Sequence, residues 1–165
     1  MRPTILIIHG SMASGKSTVT NELDKLLNNY HFVDRAHIKN VMLRKLDDRE
    51  LAKEVSKKAT FLIMGWLMKK KENILLQEMR APQIKKHFKK EIKKHNYRIK
   101  SFYLECCLKT AQKRDIKRQK KYVRPDVVAE MYQKHAYSDK EDIVINTENN
   151  SLKEVVWKIV KSLRN

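Results

Sequence analysis

Residues Gly10-Ser11-Met12-Ala13-Ser14-Gly15-Lys16-Ser17 match the pattern G-x-x-x-x-G-K-[ST] in full. Each position answers a physical need of anion binding. Gly10 and Gly15 permit the positive φ angles through which successive backbone N–H groups converge on one anion. They are two of only three glycines in the chain. A helix opening near Ser17 turns unpaired N–H groups and the positive end of its dipole toward the same point. The ammonium of Lys16 can reach the β- and γ-phosphates of a nucleoside triphosphate, and the Ser17 hydroxyl is a ligand for Mg²⁺. The spacing predicts a nucleotide site running from Gly10 to Thr18, with ATP or another nucleoside triphosphate as ligand and Mg²⁺ as its companion ion.

Two further groups are placed to act on such a ligand. Asp34 falls in the second strand-to-helix turn, within His31-Phe32-Val33-Asp34-Arg35-Ala36-His37-Ile38-Lys39. A carboxylate there can take the proton of an attacking hydroxyl, and it can equally cap the helix that follows. The next acids along the chain are Asp47 and Asp48. His37, with an ordinary pKa of about 6.5, is the alternative base. Arg114 and Arg118 stand four residues apart, so on a helix they project from one face. From there two guanidiniums can close over a triphosphate and neutralise charge as the phosphoryl group moves.

The elements that hold these residues read as an alternation of strands and helices. Ile5 to Ile8 is an unbroken Ile and Leu run, the pattern of a strand buried on both faces. Residues 17–29 carry Val19, Leu23, Leu26 and Leu27 at helical spacing. Phe32-Val33 is a second strand, Asn73 to Leu76 a third, Ile99 to Leu104 a fourth and Ile143 to Ile145 a fifth. Leu51, Val55, Ala59, Leu62, Ile63, Trp66 and Leu67 form the apolar stripe expected to bury a long helix. Ile84, Phe88 and Ile92 mark another, and residues 108–120 and 125–135 two more. The last helix carries Leu152, Val155, Val156, Ile159, Val160 and Leu163 on one face behind a Ser151–Glu154 capping box. Trp66 and Trp157 are expected in the core, Cys106 and Cys107 buried near the fourth strand. Alternation of this kind implies a parallel sheet covered on both sides.

Composition bounds the rest. With 165 residues and 41% hydrophobic content the chain is long enough for one domain, residues 1–165, with a real core. Three glycines and three prolines exclude collagen-like and linker-rich classes. The two cysteines are adjacent, so no disulfide framework is expected, which suits a reducing cytoplasm. The first apolar run is too short to span a membrane. Lys plus Arg outnumber Asp plus Glu by 37 to 19, a net charge of +18. Between Arg80 and Arg124 alone, 17 bases face three acids. That segment reads either as a solvated lysine-rich surface or as a face that holds phosphates.

The stretch from Lys113 to Tyr132, Lys-Arg-Asp-Ile-Lys-Arg-Gln-Lys-Lys-Tyr-Val-Arg-Pro-Asp-Val-Val-Ala-Glu-Met-Tyr, resembles the lid of bacteriophage-type polynucleotide 5′-hydroxyl kinases. With the phosphate loop and the turn at Asp34-Arg35, the resemblance spans about residues 4–135. It implies a P-loop NTPase fold of the α/β class: a five-stranded parallel sheet, helices on both faces and a helical lid over about residues 109–136. It further implies that Lys16, Arg114 and Arg118 act on the donor, and that Arg35 and Lys39 contact a phosphate of the RNA or DNA acceptor end. Two departures stand out. Ala36 occupies the position of that family's general-base Asp, with His37 next to it, so the base falls to Asp34 or His37 or is missing. The family's third-strand Asp-Thr-Asn reads Glu78-Met79-Arg80, leaving Glu78 to stand near Mg²⁺.

Three functions follow from these features. The first is transfer of the ATP γ-phosphoryl group to a 5′-hydroxyl end of RNA or DNA. The second is the same transfer to a small hydroxylated molecule such as a nucleoside, sugar, antibiotic or nucleotide-sugar. The third is a nucleotide-binding switch that transfers nothing.

Overall fold

The computed structural model describes residues 2–78, 81–117, 123–135 and 138–164. Five strands form one fully parallel sheet in the order β2-β3-β1-β4-β5. These are β1 (Thr4–Gly10), β2 (Tyr30–Asp34), β3 (Asn73–Gln77), β4 (Arg98–Glu105) and β5 (Ile143–Asn146). Among the described residues eight helices connect and follow them: α1 (Lys16–Leu26), α2 (Arg35–His37), α3 (Arg49–Lys69), α4 (Ala81–His87), α5 (Lys89–Lys94), α6 (Leu108–Ile116), α7 (Pro125–His135) and α8 (Leu152–Leu163). Between α2 and α3 the chain makes a π-helical turn, Ile38–Met42. The predicted strands and helices are all present, with ends shifted by a few residues.

Strand alternation divides the core into two layers. Ile5, Ile7, Val33, Ile74 and Leu76 pack against Met64, Leu67, Met68, Ile84 and Phe88 of α3, α4 and the junction with α5. Leu6, Ile8, Leu75, Phe102 and Leu104 pack against Val19 and Leu23 of α1 and Val155, Val156 and Ile159 of α8. A third, smaller cluster joins Met12 and Ala13 of the phosphate loop to Ala111 of α6 and Val128 and Tyr132 of α7. The expected capping box at Ser151 is formed in both directions.

Three sequence expectations are corrected. The stripe from Leu51 to Trp66 does not face the core. α3 instead buries Ala52, Ser56, Thr60, Met64, Leu67 and Met68. Small side chains let that helix lie close to the sheet, and their hydroxyls cost little because each is bonded to a backbone carbonyl, Ser56 to Lys53 and Thr60 to Ser56. Trp66 and Trp157 are each 60% exposed, lying beneath the ammonium groups of Lys70 and Lys161. Cys106 is buried as expected, but Cys107 is exposed, capping α6 with its thiol.

Candidate active site

The carboxyl ends of the strands gather the residues singled out by the sequence. β1 ends at Gly10, whose φ is 144° and whose missing Cβ would lie 2.4 Å from the Leu104 carbonyl oxygen, so no other residue fits. Gly15, at φ 97°, is the left-handed residue from which α1 starts. Between them the loop buries Ser11, Ala13 and Ser14, and the Ser11 and Ser14 hydroxyls have no hydrogen-bond partner among the described residues. The Lys16 ammonium arches back over the loop onto the Gly10 and Ser11 carbonyls, at 3.0 and 2.6 Å. Ser17 and Thr18 lie exposed on the first turn of α1. Orphaned buried hydroxyls, a glycine that fits nothing larger and a helix start are the parts an oligophosphate needs.

Mg²⁺ fits this arrangement through Ser17 and the phosphates rather than through a protein cage. Among the described residues no group of three or more His, Cys, Asp or Glu could hold a metal by itself. Mg²⁺ at phosphate sites commonly takes only one or two protein oxygens.

On the β2 side, Asp34 ends its strand opposite Gln77 and caps α2, its Oδ1 accepting the Ala36 N–H at 2.8 Å. The strand stops there, so Ala36 and His37 belong to the helix and are exposed instead of continuing the strand's alternation. Arg35, the next residue, reaches across to Glu78 at the end of β3, with Nη2–Oε1 at 3.0 Å. Glu78 is thereby an anchor for Arg35, a role its sequence position did not suggest. Lys39 is half-buried; burial, followed by the nearby charges of Arg35, Lys53 and Arg49, holds its pKa below the ordinary lysine value. Arg35, Asp48, Glu50, Leu51, Lys53, Glu54 and Lys57 line an open cleft of about 550 Å³.

On the opposite side, Arg114 of α6 donates to Thr147 twice, to its hydroxyl at 2.8 Å and its carbonyl at 2.7 Å. The Thr147 hydroxyl, with one proton to donate, lies between two acceptors, the Ser14 carbonyl at 3.1 Å and the Glu105 carbonyl at 3.0 Å. Thr147 was not found by sequence reasoning; it carries no motif and becomes visible only when β5 is placed beside β4. Glu148 bonds Thr110 and the Cys107 N–H, which holds the same loop against α6. Asp115, buried beside Arg114, accepts the Val123 N–H at 2.7 Å and ties α6 to the approach to α7. Tyr132 of α7 donates to the Cys106 carbonyl at 2.9 Å. Arg118 lies outside the described residues, as do residues 119–122 and 136 of the expected lid and Met79-Arg80 after β3.

The basic segment does not form one surface. α4 and α5 run from the carboxyl end of β3 back toward Arg98, which pairs with Thr4 at the start of β1. Lys93, Lys94, Arg98 and Lys100 therefore lie toward the edge of the sheet remote from Gly10. Lys85 is largely buried, paired with Asp139, Glu141 and Asp142.

This sheet order, phosphate loop and helical cover are the architecture of the P-loop kinases. Across nearly its whole length the chain superimposes on the APS kinase CysC of Mycobacterium tuberculosis in complex with AMPPNP and APS, with a TM-score of 0.73, 13% identity and 99% of each chain covered. A gluconokinase from Sinorhizobium meliloti 1021 matches with a TM-score of 0.68 and 13% identity over 99% of this chain and 94% of that one. The Pnkp1/Rnl/Hen1 RNA repair complex matches with a TM-score of 0.65 and 18% identity, over 80% of this chain and 43% of that one. A search of curated proteins finds no match to the sequence. The chain belongs to the Zeta toxin family, which it matches over residues 1–164.

Proposed function

We propose that the protein transfers the γ-phosphoryl group of ATP to a hydroxyl of a small molecule, of the nucleoside, sugar, antibiotic or nucleotide-sugar kind. The observation that carries this reading is the match of nearly the whole chain to the folds of an APS kinase and a gluconokinase. The α5 and β4 bases of the basic segment lie away from the phosphate loop, which leaves the lid likeness as the support for a nucleic-acid acceptor. APS kinase and gluconokinase, by their names, phosphorylate small molecules.

In this reading the loop amides, Ser11, Ser14 and Lys16 hold the phosphates of the donor. Ser17 holds Mg²⁺, which neutralises charge on the phosphates when bound. Arg114, braced by Thr147, lies beside the loop on the donor side. Asp34 stands at the acceptor side; with one oxygen bonded to the Ala36 N–H, its carboxylate is oriented for proton acceptance from the attacking hydroxyl. Arg35 and Lys39 face the acceptor, Arg35 being fixed in direction by Glu78.

Transfer to RNA or DNA 5′-hydroxyl ends is the second reading, favoured by the likeness of residues 113–132 to a polynucleotide kinase lid. Labelled γ-phosphate transfer to a panel of small hydroxylated acceptors and to 5′-hydroxyl oligonucleotides separates the two. A small acceptor should keep its affinity as salt rises from about 50 to 200 mM, whereas an oligonucleotide held by several phosphate contacts loses orders of magnitude. Transfer confined to oligonucleotides would reverse the assignment.

A further inference from the structure

α3 buries Met64, Leu67 and Met68 against the sheet but leaves a second row of apolar side chains on its outer side. Leu62 is 77% exposed, and Leu51, Val55, Ile63 and Trp66 are exposed with it. Val41 and Met42 of the neighbouring π-helical turn are exposed as well. Single exposed apolar residues need no explanation, but a contiguous stripe of them does.

We propose that α3 is the contact surface of a symmetric homodimer in which the α3 helices of two copies lie antiparallel. Leu51, Val55, Ala59, Leu62 and Trp66 are separated by four, four, three and four residues, the spacing of a seam that two helices share. The stripe complements itself. A two-fold axis crossing between Lys58 and Ala59 sets Leu51 opposite Trp66 and Val55 opposite Leu62, and each contact then occurs twice. The charges fit the same direction. The helix is preceded by Asp47 and Asp48 and carries Arg49, Glu50, Lys53 and Glu54 at its start, a net −2 over these six, while Lys69 at its end is followed by Lys70, Lys71 and Glu72, a net +2 over these four. Antiparallel packing brings the acidic start of each helix to the basic end of the other, whereas parallel packing sets like charges together. From Leu51 to Trp66 the seam is about 22 Å long, and Val41 and Met42 extend it sideways. The net charge of +18 on each copy opposes association. That repulsion is long-ranged and is screened beyond about 8 Å at physiological ionic strength.

Sedimentation equilibrium of the full chain at physiological ionic strength, over a micromolar concentration series, tests the proposal. A monomer–dimer equilibrium is expected. Leu62→Asp should raise the dissociation constant about 30-fold or more, as loss of a central interface residue does. Lys69→Glu combined with Lys70→Glu should raise it about tenfold. Trp157→Ala, on α8, should leave it unchanged. Because Leu62 and Trp157 are exposed, circular dichroism of these variants should match the parent, and melting should match it at concentrations below the parent's dissociation constant, which separates lost association from lost folding. A chain that stays monomeric throughout overturns the proposal, as does a dimer indifferent to Leu62→Asp or one dissolved by Trp157→Ala. A monomer that instead binds a different helical protein through Leu62 also overturns it and gives the face to that partner.

Discussion

The guanidinium of Arg35 lies 3.0 Å from the Glu78 carboxylate, linking the end of β2 to the end of β3. The carboxylate is nearly buried while the guanidinium is one-third exposed. Removing the cation therefore takes a charged partner from a nearly buried carboxylate. Arg35→Ala should cost about 2 kcal/mol in urea unfolding, and Glu78→Gln less. If the cleft holds the acceptor, Glu78→Gln should raise the acceptor KM while leaving ATP affinity unchanged, because it frees Arg35 to move without touching the phosphate loop.

Lys16→Ala should remove triphosphate-dependent turnover without loss of folding stability. Its ammonium bonds the Gly10 and Ser11 carbonyls, and Lys16 is not among the residues of the apolar core. Thermal melting with and without ATP checks it: the parent should be stabilised by the ligand and the variant much less so.

Thr147 couples Arg114 to the loop, so the two should fall in order of directness. Arg114→Ala is expected to lower kcat by about 10³-fold, as loss of a charge-stabilising arginine does. Thr147→Val keeps the arginine and removes its brace, and should lower kcat by about tenfold. Equal effects would mean that Thr147 itself touches the donor.

Capping and catalysis by Asp34 can be separated because Asn is as good a helix cap as Asp but a poor base. Asp34→Asn should leave stability within about 0.5 kcal/mol and lower kcat by at least about 10²-fold. His37→Ala, on an exposed side chain, should do neither. The opposite pattern in stopped-flow transfer at saturating ATP would move the base to His37.

The strands, the phosphate loop and the last helix could be read from the sequence because each depends on local chemistry: a buried Ile and Leu run, glycines with positive φ, a Ser–Glu capping box. The face that α3 buries could not. Spacing alone predicts a stripe but does not say whether large apolar or small hydroxyl-bearing residues lie against the sheet, and here Ala52, Ser56 and Thr60 do. The position of the bases was equally hidden. Charge density along the chain does not reveal that α5 carries its lysines toward the amino ends of the strands while Lys85 of α4 is taken up by Asp139, Glu141 and Asp142. Thr147 escaped notice for a related reason, since its partners Arg114 and Ser14 are 33 and 133 residues away.

His9, immediately before the phosphate loop, sits buried with its Nε2 3.0 Å from Asp142. Burial outweighs the attraction of that carboxylate, so His9 titrates below its ordinary 6.5. The unfolded chain thus binds its proton first. His9 contributes stability above pH 6.5 that is lost as pH falls toward its folded-state value. For Asp142, burial pushes the pKa up, but the Asp139 N–H and the neighbouring His9 help hold it below 3.8, so its own loss comes only at more acid pH. Urea midpoints should decline between neutral pH and mildly acid pH in the parent. The decline should be shallower in His9→Asn.

The most direct measurement is transfer of labelled γ-phosphate from ATP by the parent and by Lys16→Ala, each offered nucleosides, sugars, nucleotide-sugars, antibiotics and 5′-hydroxyl oligonucleotides side by side. The account predicts that the parent labels a small acceptor, at a rate that varies little with salt, and that Lys16→Ala labels nothing. Labelling of no acceptor by a parent that binds ATP, or unchanged labelling by Lys16→Ala, would contradict it.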